Sequence, residues 1–277
     1  MLLAEMKNYY LSFVKATLSE GTYKCYLSHL NSLFKFLNKN AILTDDEITS
    51  KVLLQYIYEM HENNVSNSTI NKRFKPLKKM FEYCQIENEY LNNLKLLKEK
   101  QNHFNSLNTT ELNNLVNYLN TSNKLILKNK LIMFLLLETG IRINELLNIQ
   151  VKNINFTNNS IYLVQTKTSK SRYCYFREGT AYLLKLHLKN LDQVLLFENT
   201  TYSAVRNLFE RIKKQLGLNK FHPHMLRHTF ASILHKNGTS LFILMTLMGH
   251  KNLKTTERYV HYDNEYIQQQ FLQNMNY

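Results

Sequence analysis

Apolar positions recur at intervals of three and four through the first hundred residues. Tyr23, Leu27, Leu30, Phe34 and Leu37 form one series, and Ile70, Phe74, Leu77 and Phe81 another. That spacing lays an apolar stripe along one face of a helix, as packing against a core requires. The segments near 2–17 and 48–62 read as helices too. Ser66 or Ser68 can cap the helix that carries Ile70, and Pro76 within it predicts a kink. Residues 99–106 are polar and break the periodicity. They read as a linker between a first domain at 1–98 and a second at 107–277.

The pattern resumes at Leu107. Asn108 or Thr109 can cap a helix with Glu111 in its first turn. A further helix is predicted over about 124–138, halted at Thr139-Gly140, with a short one over Arg142–Asn148. Between 149 and 177 the period changes to two. V-K-N-I-N-F, a turn at Asn158-Asn159, I-Y-L-V and Y-C-Y-F predict a small antiparallel sheet. Helices return from about 179, 201 and 224, with Gly217 and Gly238 as stops. The fold class is mainly α with a small antiparallel β-sheet, that is, α+β.

Composition adds a direction. The 277 residues are 44% hydrophobic, which excludes a disordered chain, and the net charge is +14. The excess is uneven. Residues 1–105 carry 14 Lys/Arg against 11 Asp/Glu, and residues 106–277 carry 21 against 10. A basic second half suits a polyanion, although general solubility explains charge equally well. Lys72, Arg73, Lys75, Lys78 and Lys79 lie opposite the apolar stripe of their helix with no acid among them. They read as a face for DNA phosphates. Cys25, Cys84 and Cys174 form no C-x-x-C pair, so neither a disulfide framework nor a zinc site is predicted, and each reads as buried packing. The longest strongly apolar run, Leu131–Leu137, is far short of a membrane span. The N-terminus has no signal-peptide pattern. The expectation is a soluble, cytoplasmic protein without a membrane partner.

The candidate chemistry is gathered in the second half. The chain has only six glycines and two prolines. Yet Gly140, Pro223 and Gly249 stand one or two residues before Arg142, His224 and His250. Backbone breaks there predict helix N-termini, with their free N–H groups, at the entrance of a site. Two arginines, Arg142 and Arg227, can hold a phosphate through charge-assisted hydrogen bonds. His224 and His250 can donate to its oxygens or move protons. Tyr259, nine residues after His250, can attack it and stay attached. Each motif also has a plainer reading. Arg142 and Glu145 could be a surface ion pair, His228 a buried hydrogen-bonded histidine, and Lys167 a solvated turn residue.

The ordered set R-x-x-E, lysine, H-x-x-R, glycine-histidine and tyrosine resembles the tyrosine recombinases, the Xer and phage-integrase family. The likeness is tight over about 130–262 and looser over 1–100. It implies a helical N-terminal core-binding domain and a catalytic domain that close on duplex DNA as a clamp. It implies roles as well. Arg142 and Arg227 grip the scissile phosphate, with Glu145 in support. His224 assists proton transfer at the attacking tyrosine, and His250 donates to a non-bridging oxygen. Lys167, with Lys170 as the alternative, protonates the leaving 5′ oxygen from a β-turn, although threonines flank Lys167 where many Xer proteins have glycines. Tyr259 is the nucleophile, with Tyr262 its nearest rival. Lys170 and Arg172 join the DNA-contacting residues. The reaction needs neither a metal nor another cofactor. The partner is double-stranded DNA at a specific recombination site, bound by a homotetramer on two sites, with any accessory protein left open. A stripe of Tyr266, Ile267, Phe271 and Leu272 near the C-terminus docks on a neighbouring protomer or packs in cis. The rival functions are a type IB topoisomerase, with the same chemistry but no strand exchange, and a non-catalytic DNA-binding relative.

Overall fold

The computed structural model describes residues 1–99, 105–164, 171–189 and 193–249. The chain divides into two compact units, Met1–Asn102 and His103–Tyr277. The first unit is built of helices α1 (Leu3–Thr17), α2 (Glu20–Lys39), α3 (Ser50–Glu62), α4 (Asn67–Tyr83) and the short α5 (Glu89–Asn93). Side-chain caps start three of the long ones. Ser19, Thr49 and Ser66 accept from the backbone N–H groups of Thr22, Val52 and Thr69. Leu30, Phe34, Leu37, Ile70, Phe74, Leu77 and Phe81 are all buried in one core with Tyr56 and Met6, as the stripes predict.

Helix α4 runs through Pro76 without ending. Proline has no N–H, so the carbonyl of Lys72, one turn earlier, loses its helical donor. The imidazole of His29 faces that carbonyl. Burial and then the Arg73 guanidinium lower the His29 pKa, and the contact with that carbonyl offsets part of the fall. The basic face of α4 also divides. Lys72, Lys75 and Lys79 are exposed. Arg73 instead turns to the Tyr56 hydroxyl and the Met60 sulfur, and Lys78 to the Leu94 carbonyl. Of the three cysteines only Cys174 is buried. Cys25 is exposed, which corrects its reading as core packing.

The second unit begins with α6 (Thr109–Thr121), whose cap Asn108 forms a reciprocal capping box with Glu111. Then come α7 (Leu127–Thr139), α8 (Ile143–Leu147), strands β1 (Ile154–Asn155), β2 (Ser160–Leu163) and β3 (Arg172–Tyr175), and helices α9 (Glu178–Leu188), α10 (Tyr202–Leu216), α11 (Pro223–Lys236) and α12 (Leu241–Met248). The strands form one antiparallel sheet in the order β1-β2-β3, with Ile161 opposite both Ile154 and Cys174. The expected first strand is shorter than its alternation suggested, because Val151–Asn153 winds as a 3-10 turn. Helix α7 is buried nearly all round and carries the core, with Leu131, Ile132, Met133, Leu135 and Leu136 almost fully shielded. The Thr229 hydroxyl accepts from the Leu107 N–H at 2.9 Å and donates to the Met225 carbonyl, tying the start of the unit to α11. No helix among the described residues is long and apolar enough to cross a membrane.

Candidate functional site

Three chain reversals build the site. Helix α7 ends at Gly140, whose φ of +60° is a left-handed cap. A side chain there would overlap the Phe230 ring of α11, so only glycine lets the two helices close up. Two residues later Arg142 caps α8 in an extended conformation. Its backbone N–H donates to Glu145 Oε2 at 2.9 Å, and its Nη1 donates to Oε1 at 3.2 Å. The Arg142 side chain is 25% exposed, enough to meet a ligand. The second reversal starts α11. Pro223 sits in the first turn, where its missing N–H costs nothing, and the His222 ring accepts from the Met225 N–H. His224 and Arg227 follow on one helical face. The third reversal ends α12 at Gly249, with φ +62°.

Arg227 joins two of these reversals. It is 3% exposed, and its guanidinium donates to the carbonyls of Gly140 and Met248. Those carbonyls belong to the C-terminal ends of α7 and α12, where partial negative charge favours a cation. The breaks at Gly140 and Gly249 therefore present helix C-termini, and the one at Gly140 also leads into the expected N-terminus, that of α8.

Glu145 is buried, as a supporting residue should be, and it holds a second arginine. Arg172 of β3 donates Nη1 to Oε1 at 3.1 Å and Nη2 to Oε2 at 2.9 Å. Its Nε donates to the Leu247 carbonyl at 2.7 Å. Arg172 is 6% exposed. This corrects its expected place among the DNA-contacting residues, because its guanidinium is buried on Glu145 and the Leu247 carbonyl. The alternation of β3 carried a signal for this: Arg172 shares a face with buried Cys174, while Tyr173 and Tyr175 face outward.

The positive charge is felt by the histidines. Burial, then Arg227, His222 and Arg142, lower the His224 pKa, so both phosphate-gripping candidates lie within electrostatic reach of that ring. A neutral imidazole at neutral pH can accept a proton. His228 is buried and pushed down to about 4, first by burial and then by His224, His222 and Arg227, in line with a structural role. The structure thus brings Arg142, His224, Arg227 and Glu145 together. His250, Tyr259, Tyr262, Lys167, Lys170 and the stripe at 266–272 lie outside the described residues. Lys72, Lys75 and Lys79 belong to the first unit.

Comparison with known proteins agrees with this geometry. Residues 105–265 match the phage integrase family, and residues 1–94 match the phage integrase SAM-like domain. The chain is 27% identical to tyrosine recombinase XerA of Saccharolobus solfataricus, over 98% of this chain and 94% of that one. It is 29% identical to tyrosine recombinase XerC of Staphylococcus aureus, over 94% and 92%. A solved structure of the Tn1549 transposon integrase with transposon right end DNA superposes with a TM-score of 0.78 at 19% identity, covering 100% of both chains. At that identity the superposition speaks for the fold alone. By the family matches across both units, this chain belongs to the phage integrase family and is a site-specific recombinase of the Xer tyrosine-recombinase type.

Proposed function

We propose that this recombinase binds duplex DNA and cleaves and rejoins it through a covalent 3′-phosphotyrosyl intermediate, with Tyr259 as nucleophile. The observation that carries the reading is the convergence of Arg142 and Arg227 on His224 across the Gly140 turn. Two guanidiniums beside a neutral imidazole suit a phosphodiester that gains charge in its transition state. The Tyr259 oxygen attacks phosphorus and the bond to the 5′ oxygen breaks. His224 takes part in removing the phenol proton, and Lys167 supplies one to the leaving 5′ oxygen. A free tyrosine has a pKa of about 10, so the local positive field is needed to make the phenolate accessible. Attack by another strand's 5′ hydroxyl on the phosphotyrosine reverses the step and joins the new partner. His250 donates to a non-bridging oxygen. The acting species is a homotetramer on two sites, with the stripe of Tyr266, Ile267, Phe271 and Leu272 docked on a neighbouring protomer.

A duplex nicked near the scissile position of the recombination site tests this, because loss of the short fragment prevents religation. The wild-type protein is expected to accumulate on such DNA as a covalent complex that survives denaturing electrophoresis. Tyr259→Phe is expected to abolish the complex and leave binding in gel-shift assays within about threefold, since the lost hydroxyl acts mainly in the transition state. Trapping that persists in Tyr259→Phe and disappears in Tyr262→Phe would reassign the nucleophile.

A further inference from the structure

We propose that Arg172 is a positioning residue that locks Arg142 and the turn leading to His250 into one rigid unit. The inference rests on the cleavage reading above, but its geometry stands alone. The Glu145 carboxylate is shared. Both of its oxygens accept from Arg172, and both accept from Arg142, one from the side chain and one from the backbone. The third donor of the Arg172 fork reaches the Leu247 carbonyl. The next residue's carbonyl, that of Met248, accepts from Arg227. One buried side chain from β3 thus links α8 to the last turn of α12.

Packing makes the link stiff. A Cβ at Gly249 would lie 2.6 Å from Arg172 Nη1 and 3.1 Å from its Cδ. The turn is therefore wrapped against the guanidinium itself, and the residue that follows it in sequence is His250. A guanidinium suits this place because its planar fork satisfies a carboxylate and a carbonyl at once, whereas a lysine ammonium is a single point of charge. Glu145 carries one negative charge against the two cations it holds, so the trio keeps a net positive charge while its members are fixed. Arg172 never needs to touch the phosphate. Its effect passes through the placement of Arg142 on one side and of the α12 turn on the other, and misplacement of a catalytic group by an ångström costs on the order of a hundredfold in rate.

Two variants separate this role from general stability. Arg172→Lys keeps the buried charge but loses the fork. The pair Glu145→Gln with Arg172→Met removes both charges together and avoids a lone buried carboxylate. With the nicked duplex, Arg172→Lys is expected to slow covalent-complex formation about 30- to 100-fold with DNA affinity within about threefold. The test of coupling is a cycle with Arg142→Ala. If Arg172 acts through Arg142, adding Arg172→Lys to Arg142→Ala costs much less than the Arg172→Lys change alone. Its penalty also shrinks on a methylphosphonate at the scissile linkage, which lacks the charge that Arg142 meets. Penalties that multiply in full, on both substrates, overturn the proposal. Amide exchange in the DNA-free protein reads the same link without catalysis. Both variants are expected to speed exchange at the Arg142 and Gly249 amides at least about tenfold while α6 and α10 keep their protection. Unchanged protection at those two amides refutes the link. Should the wild-type protein trap no DNA while the exchange result holds, the cleavage reading fails and the link stands.

Discussion

At the scale of single residues, Gly140 and Gly217 allow two effects to be separated. Both end helices with left-handed φ, +60° and +63°. A side chain on Gly217 meets nothing within 4 Å, whereas one on Gly140 overlaps Phe230. Gly217→Ala is therefore expected to cost only the backbone term, about 1–2 kcal/mol. Gly140→Ala adds overpacking of about 1–3 kcal/mol and pushes α7 away from α11, the helix that carries Arg227. Denaturant unfolding should show the larger loss at Gly140, and the rate of covalent-complex formation should fall for that variant alone. Equal stability losses would mean that Phe230 moves aside freely. The sequence marks both glycines as stops. Which one is crowded depends on Phe230, ninety residues further along the chain, and no local pattern carries that.

At the scale of elements, helix α11 concentrates histidines whose charged forms are disfavoured. His222, His224, His228 and His235 all have lowered pKa values, with burial the first cause for each. For His228 the native value of about 4 lies below the unfolded value near 6.5. The unfolded chain therefore binds more protons between these limits. The contribution is complete above about pH 6.5, is lost as pH falls from there to about 4, and does not change further below. On its own this site gives on the order of 3 kcal/mol. Thermal midpoints taken from pH 7 to pH 4 are expected to fall steadily, and His228→Gln should flatten the fall. A His228→Gln profile parallel to the wild type would place the acid sensitivity elsewhere. Elements also differ in how plainly the sequence announces them. Helices with a capping residue and an apolar stripe, such as α4 and α6, are legible because both signals are local. Helix α12 reads L-F-I-L-M-T-L-M; with apolar residues on every side it has no periodicity to find. Helix α5 has five residues, too few to repeat. Arg172 finds Glu145 and Leu247 at separations of 27 and 75 residues, so its partnership belongs to the tertiary fold, although the parity of β3 already turned it inward.

At the scale of the whole molecule, the charge ledger and the exposed cations point to DNA affinity that depends on salt. Most of the +14 net charge falls in residues 106–277, yet Arg172 there is buried on Glu145 and the Leu247 carbonyl and releases no counterions. In the first unit, Lys72, Lys75 and Lys79 recur at three and four residues along one exposed side of α4, the geometry of a strip that can follow a phosphate backbone. A cation that neutralises a DNA phosphate contributes about 0.9 to the slope of log affinity against log salt. Replacing all three lysines with glutamine is therefore expected to reduce that slope by about 2–3 and to weaken specific and random duplexes alike, since phosphates carry no sequence. Trapping measured at saturating protein should be unchanged, because the residues proposed for cleavage all belong to the second unit. Arg73 and Lys78, already held by Tyr56, Met60 and Leu94, should alter the slope less than the exposed three. Titrations at several salt concentrations decide it: an unaltered slope in the triple variant would take α4 off the DNA and leave its lysines as a solvated helix face.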